Sequence, residues 1–238
     1  TLAGRREKVA ALVAEKAAIR AELDAALDNS DSPMHPAHVP VAVREALGHE
    51  GMVAIDGGNT AVWCAHYYRN AQPDAIHSTF KFGMLGAGVG QALGLKAAHP
   101  GRPVACITGD GAMGMHLQEI ETAVREKLPI LCVVLCDRQW GMVKLTQQFG
   151  IDALRGQMGI ESQGTINTDF EEICFDEVAV AMGAFGARVS DPAQLPGALQ
   201  QALESGRAAV IHVDVDPTAH LFAPNLMEFK EMHGEPVG

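Results

Sequence analysis

Residues 103–137 read PVACITGDGAMGMHLQEIETAVREKLPILCVVLCD, and the fold class follows from them. Pro103 to Thr108 is a short apolar run that ends in the turn Gly109-Asp110-Gly111, the pattern of a buried strand and its stop. His116 to Lys127 then places Leu117, Ile120, Ala123 and Val124 at helical spacing. Ile130 to Cys136 is wholly apolar, as a strand covered on both faces requires, and Asp137 closes it. Strand, helix and strand in this order make a parallel βαβ unit.

The same rhythm extends outward. Upstream, a helix is expected from Pro36, or from Pro40, to about Leu47. A strand from Met52 to Asp56 follows, then helices over Ala61 to Tyr68 and Gly86 to Ala98. Downstream, helices are expected around Gly141 to Phe149, Glu171 to Met182 and Pro196 to Ser205, with strands at Ala187 to Val189 and Ala209 to Val215. The expected class is α/β, an open parallel sheet with helices on both faces. Leu2 to Leu27 reads as a helix with a partial apolar stripe of Val9, Leu12, Val13, Ala17 and Ile19, and Asn29 to Pro36 reads as a linker. The expected organisation is a helical tail of a preceding domain plus linker (1–35), one core domain (36–216) and a C-terminal tail (217–238). That tail carries apolar anchors Leu221, Phe222, Leu226 and Phe229 and reads as a lid, an interface or a loose end.

Composition narrows the function. The chain is 47% apolar and 20% charged, which excludes disorder as its main theme. A formal charge of −11 argues against a broad nucleic-acid surface. The longest apolar run, Ile130 to Cys136, falls far short of the roughly 20 residues of a membrane span. Cys106, Cys132 and Cys136 sit in strand-like runs without a ligand pattern for zinc, so free buried thiols in a reducing cytoplasm are expected. The charged start, Thr1 to Arg20, is no signal peptide, and its missing initiating Met suggests a fragment or a processed product.

Ligands of such sheets bind beyond the carboxyl ends of the strands, here after Ile55, Thr108 and Leu135. At Gly109-Asp110-Gly111-Ala112 the glycines allow close backbone approach, and free amides suit a phosphate. Asp110 would repel a bare phosphate and makes sense beside a bridging divalent cation. Asp137 lies 27 residues on, one helix and one strand away, so both carboxylates can face one Mg²⁺. Each alone reads equally well as part of a turn or loop. Asp56-Gly-Gly-Asn59-Thr60 adds polar side chains at the same edge. Gly83-Met-Leu-Gly-Ala-Gly-Val-Gly90 lacks the spacing of a nicotinamide fingerprint, and Gly86, Gly88 and Gly90 suit a close-packed helix.

Gly109-Asp110-Gly111, the interval to Asp137 and the following Trp140-Gly-Met-Val143 resemble the thiamine-diphosphate motif. More narrowly, roughly Pro36 to Val215 is similar to the C-terminal, diphosphate-binding domain of the acetolactate-synthase-like family. The resemblance implies Asp110, Asp137 and the backbone carbonyl of Gln139 as Mg²⁺ ligands. It implies contact of the diphosphate with Gly109, Gly111 and Ala112, and with Asn59 and Thr60. Leu85 takes the position of the wedge that bends the cofactor, and the Gly83 carbonyl accepts from its exocyclic nitrogen. Met142 and Val143 line the pocket near the reactive ring.

Three departures stand out. Cys136-Asp137 replaces the family's Asn-Asn pair, adding a negative charge beside the diphosphate. Met142-Val-Lys-Leu-Thr146 lacks the Trp that acetolactate synthases use to select a second 2-oxo acid. The acidic residue that protonates the aminopyrimidine belongs to an N-terminal domain of a neighbouring subunit, for which the 238 residues have no room.

The resemblance therefore implies the diphosphate half of a carboligase or decarboxylase acting on a 2-oxo acid. Thiamine diphosphate and Mg²⁺ are its cofactors. A pyrimidine-binding domain in the same or another chain completes it, within a homo- or hetero-oligomer. The alternatives are a 2-hydroxyacyl-CoA lyase or oxalyl-CoA-decarboxylase-like enzyme, and a non-catalytic cofactor-binding or scaffold module. A nicotinamide-dependent oxidoreductase ranks last. His116, read as a first-turn helix residue, His77, Glu119, Trp63, Trp140, Met113 and Met115 are expected to be structural.

Overall fold

Six strands form one all-parallel sheet: β1 (Met52–Ile55), β2 (Ile76–Ser78), β3 (Val104–Gly109), β4 (Ile130–Cys136), β5 (Phe185–Val189) and β6 (Ala209–Asp214). Their order is β2-β1-β3-β4-β6-β5. The structure is a computed structural model describing residues 2–70, 72–80 and 82–226. Phe229, expected as a tail anchor, lies outside the described residues.

The helices are α1 (Leu2–Asp24), α2 (His38–Leu47), α3 (Asn59–Tyr67), α4 (Ala87–Ala98), α5 (Asp110–His116), α6 (Glu119–Arg125), α7 (Gly141–Thr146), α8 (Asp152–Gln157), α9 (Phe175–Ala181), α10 (Leu195–Glu204) and α11 (Pro217–Leu221). Side chains alternate along each strand, so each strand feeds two cores. Val53, Ile107, Leu131, Val133, Leu135 and Ile211 pack toward α2, α3 and α10 through Val39, Val43, Ala61, Leu195 and Leu199. Ala54, Cys106, Ile130, Cys132 and Val134 face the opposite way, onto Val89, Ile120, Ala123, Phe175 and Ala179 of α4, α6 and α9. Both halves of β4 are buried, which is why its sequence is continuously apolar. The cysteines are free; four are buried and Cys174 is half-buried.

The chain leaves β1 through α3 on one face and β3 through α5 on the other. The strand order thus reverses between β1 and β3, and a crevice opens there at their carboxyl ends.

Several elements differ from expectation. The helix expected over His116 to Lys127 is two: α5 begins at Asp110, and His116 is its last residue. The expected helix after Gly141 runs on through a π-helical stretch, Gln147–Ile151, into α8. The segment before α9 is extended, so that helix starts at Phe175. Strand β2 has three residues and no apolar alternation to reveal it. Met34, within the stretch read as a linker, is fully buried and bridges to Val215. The start of α1 leaves Val9, Leu12 and Val13 exposed, whereas its end docks through Tyr67 Oη, which donates to the Leu23 carbonyl at 2.9 Å. Among the described residues, no helix is long and apolar enough to cross a membrane.

Candidate functional site

The loop after β1 is tied down by Asp56, which is 1% exposed. Its carboxylate accepts the N–H groups of Gly57 (2.8 Å), Gly86 (2.9 Å) and Gly88 (3.2 Å) and the Thr108 hydroxyl (3.1 Å). One side chain thereby joins β1, β3 and the entry to α4. Burial pushes this carboxyl's pKa up, against those hydrogen bonds. The tied segment carries Gly83 and Leu85. A Cβ on Gly57 would stand 2.9 Å from Leu85 Cδ2 and 3.4 Å from the Gly83 carbonyl oxygen, so both sit directly over that turn. Gly86 has φ +83°, and His116 Nδ1 would lie 2.3 Å from its Cβ, so His116 packs at the base of this segment.

After β3, Asp110 opens α5. Its Oδ1 accepts from Gly111 N–H at 2.7 Å, and its Oδ2 accepts from the N–H groups of Asp137 (3.1 Å) and Arg138 (2.7 Å). The ends of β3 and β4 are thus locked together. Burial, and then the charge of Asp137, raise the Asp110 carboxyl to about 6. Asp137 Oδ2 in turn accepts from His220 Nδ1 at 2.7 Å and from the Gln139 amide at 3.0 Å. That amide also donates to the Pro217 carbonyl (2.8 Å), so the Gln139 side chain is taken up within the protein. Trp140 covers Gly111: a Cβ there would meet the indole at 2.6 Å. A Cβ on Gly141 would meet Asn59 Nδ2 at 2.5 Å.

The tail closes one side. Asp216 caps α11 by accepting from Thr218 and Ala219 N–H. The His220 carbonyl accepts from Trp63 Nε1 (3.0 Å) and Asn59 Nδ2 (3.3 Å), and Asn59 Nδ2 also reaches the Leu221 carbonyl (3.3 Å). Asn59 Oδ1 is buried without a hydrogen-bond partner.

One pocket gathers Asn59, Thr60, Leu85, Gly109, Asp110, Gly111, Ala112, Asp137, Gln139, Met142 and Val143, with Gly57, Trp140 and His220 beside them. Gly83 flanks it through its contact at Gly57. Every residue the sequence nominated is therefore at one edge. Asp56 was read only as part of the polar segment after β1, not as the tie between β1, β3 and α4, and His220 was not nominated. His77 bonds to the Asp74 carbonyl away from the pocket, Trp63 and Met113 are core residues, Met115 is exposed and Glu119 begins α6. Glu172, His212 and Asp214 also cluster, but Arg188 bridges both carboxylates at 2.6 and 2.7 Å, and a cation there would have to displace a guanidinium.

The model of the thiamine pyrophosphate enzymes, C-terminal TPP binding domain, matches residues 56–213. The chain belongs to this family. It is 32% identical over 186 residues to a sulfoacetaldehyde acetyltransferase of Alcaligenes xylosoxydans xylosoxydans, covering 76% of this chain and 29% of that protein. It is 33% identical over 190 residues to the acetolactate synthase isozyme 3 large subunit of Escherichia coli, covering 77% and 32%. The chain thus spans about a third of the curated relatives it matches. The crystal structure of a benzoylformate decarboxylase from Polynucleobacter necessarius shares the fold at TM-score 0.64 and 23% identity, covering 79% of this chain and 35% of that one. A 4-hydroxybenzoylformate decarboxylase of Rhodococcus jostii RHA1 does so at TM-score 0.67 and 20% identity, covering 79% and 34%. The chain accordingly carries a thiamine-pyrophosphate-binding domain of the kind found in acetolactate-synthase-like enzymes.

Proposed function

We propose that this domain is the diphosphate half of a carboligase or decarboxylase acting on a 2-oxo acid, completed by a pyrimidine-binding domain from the same or another chain. The observation that carries the reading is the pair Asp110 and Asp137, two buried carboxylates locked side by side at consecutive strand ends. Their mutual repulsion is what a divalent cation relieves, and hard oxygen donors suit Mg²⁺. Asp110, Asp137 and the backbone carbonyl of Gln139 would hold the ion. Gly109, Gly111 and Ala112 would approach the diphosphate by backbone, with Asn59 and Thr60 beside it. The unpartnered Asn59 Oδ1 leaves an acceptor for a donor that accompanies the ligand, such as a bound water.

Leu85 and Gly83, fixed over Gly57 by Asp56, would set the bend of the cofactor, and Met142 and Val143 would line the space for the substrate. Bound thiamine diphosphate supplies the nucleophilic carbon and the electron sink, while the protein positions it and shields it from water. The names of the relatives, an acetyltransferase and an acetolactate synthase, support a transferase or lyase. Lys144, at the segment where acetolactate synthases carry their Trp, bonds instead to Gln139 and Asp169. Acetolactate is therefore not assigned as the product.

The test supplies a pyrimidine-binding domain, in the same or another chain, and follows carbonyl products from a panel of 2-oxo acids. Turnover that depends on both cofactors and disappears in Asp110→Ala is expected; no turnover of any 2-oxo acid by the cofactor-loaded protein would overturn the substrate class.

A further inference from the structure

We propose that His220 is a positioning residue for the metal half of the site: it holds the outer oxygen of Asp137 so that the other faces a divalent cation. The inference rests on reading Asp110 and Asp137 as the cation's ligands. It starts from the departure at position 137. An Asn there brings its own amide donor and no charge. Asp137 brings a charge and no donor, and its surroundings must make up the difference.

They do so from the tail. Asp137 Oδ2 takes His220 Nδ1 at 2.7 Å and the Gln139 amide at 3.0 Å, so two donors fix that oxygen. The His220 and Asp137 side chains are 5% and 2% exposed, which removes water as a substitute donor. An ionised carboxylate only accepts, so Nδ1–H of His220 is the donor to Asp137, while Nε2 lies 3.4 Å from the Thr60 hydroxyl. The backbone that carries the ring is anchored as well, because the His220 carbonyl accepts from Trp63 Nε1 at 3.0 Å. A carboxylate ligand oriented by a second side chain is a common feature of metal sites, and losing the orienting group typically weakens metal affinity about 10–100-fold.

A tail anchor without influence on Asp137 is the competing role, and a double-mutant cycle separates the two. Mn²⁺ binding to the full chain is measured by electron paramagnetic resonance in the presence of inorganic pyrophosphate, with metal-free thermal unfolding recorded for every variant. His220→Ala is expected to weaken Mn²⁺ binding by about 10–100-fold. His220→Asn, which keeps a donor near the Nδ1 position, is expected to restore most of it. In an Asp137→Asn background, His220→Ala is expected to change affinity by less than about 2-fold. His220→Phe fills the space without a donor and replaces the alanine variant if that one unfolds. Equal losses in both backgrounds, or wild-type affinity in a folded variant lacking the donor, would overturn the inference and leave the cation reading standing. Mn²⁺ binding that is absent from the wild type, or unchanged in Asp110→Ala, would instead overturn the cation reading itself.

Discussion

Gly111 has no room for a side chain, because Trp140 lies where its Cβ would be. Gly111→Ala should displace the indole and destabilise the fold by about 1–3 kcal/mol, measurable by urea denaturation. Asp56→Asn should have a similar effect, about 1–3 kcal/mol, because the amide would aim N–H at N–H where a carboxylate now accepts four hydrogen bonds. It should also loosen the segment carrying Leu85, seen as faster amide exchange there. Asp110 adds a pH dependence. Its carboxyl is raised to about 6, so its contribution to the stability of the cation-free fold is complete below its unfolded value and lost as pH rises through about 6. Cation binding has the opposite preference. Mg²⁺ loading at pH 6 should release a proton that loading at pH 8 does not, measured by calorimetry in buffers of different ionisation enthalpy. Asp110 and Asp137 were legible because each terminates an apolar run. His220 was not: its contact with Asp137 spans 83 residues, and nothing local to His220 announces it.

At the scale of elements, the longer apolar runs gave themselves away and the short ones did not. β4 is covered on both faces and reads directly as a strand. β2 is three half-buried residues whose place depends on pairing with β1. α5 is hidden by Gly111 and Gly114, poor helix formers held helical by the burial of Ala112 and Met113. α11 has five residues, too few to be stable alone, so its order comes from docking. Trp63→Phe removes the donor to the His220 carbonyl and should speed amide exchange across Thr218–Leu221 more than in the central sheet, on top of the global effect of shrinking a buried indole. Exchange unchanged in that variant would mean that the tail is held by its other contacts, those of Asn59, Gln139 and Asp137 among them.

Across the whole molecule, the crevice between β1 and β3 collects side chains from four loops, which is why a motif scattered from Asn59 to Val143 still reads as one site. Around it Phe82 is 84% exposed, Met84 50%, Phe149 58% and Phe222 53%, and the last two rings stand 6.4 Å apart. This supports completion of the site by another domain. With a pyrimidine-binding domain supplied, hydroxyl-radical labelling of Met84 and Phe149 should fall, and unchanged labelling would place the partner elsewhere.

On this reading Asp110 and Asp137 form, with one divalent cation, the diphosphate half of a thiamine-diphosphate site. Calorimetric titration of thiamine diphosphate, with and without Mg²⁺, into the protein supplied with a pyrimidine-binding domain is the test. Binding that requires Mg²⁺ and is lost in Asp110→Ala is predicted. Binding that is absent, or that persists without Mg²⁺ and in the variant, would contradict it.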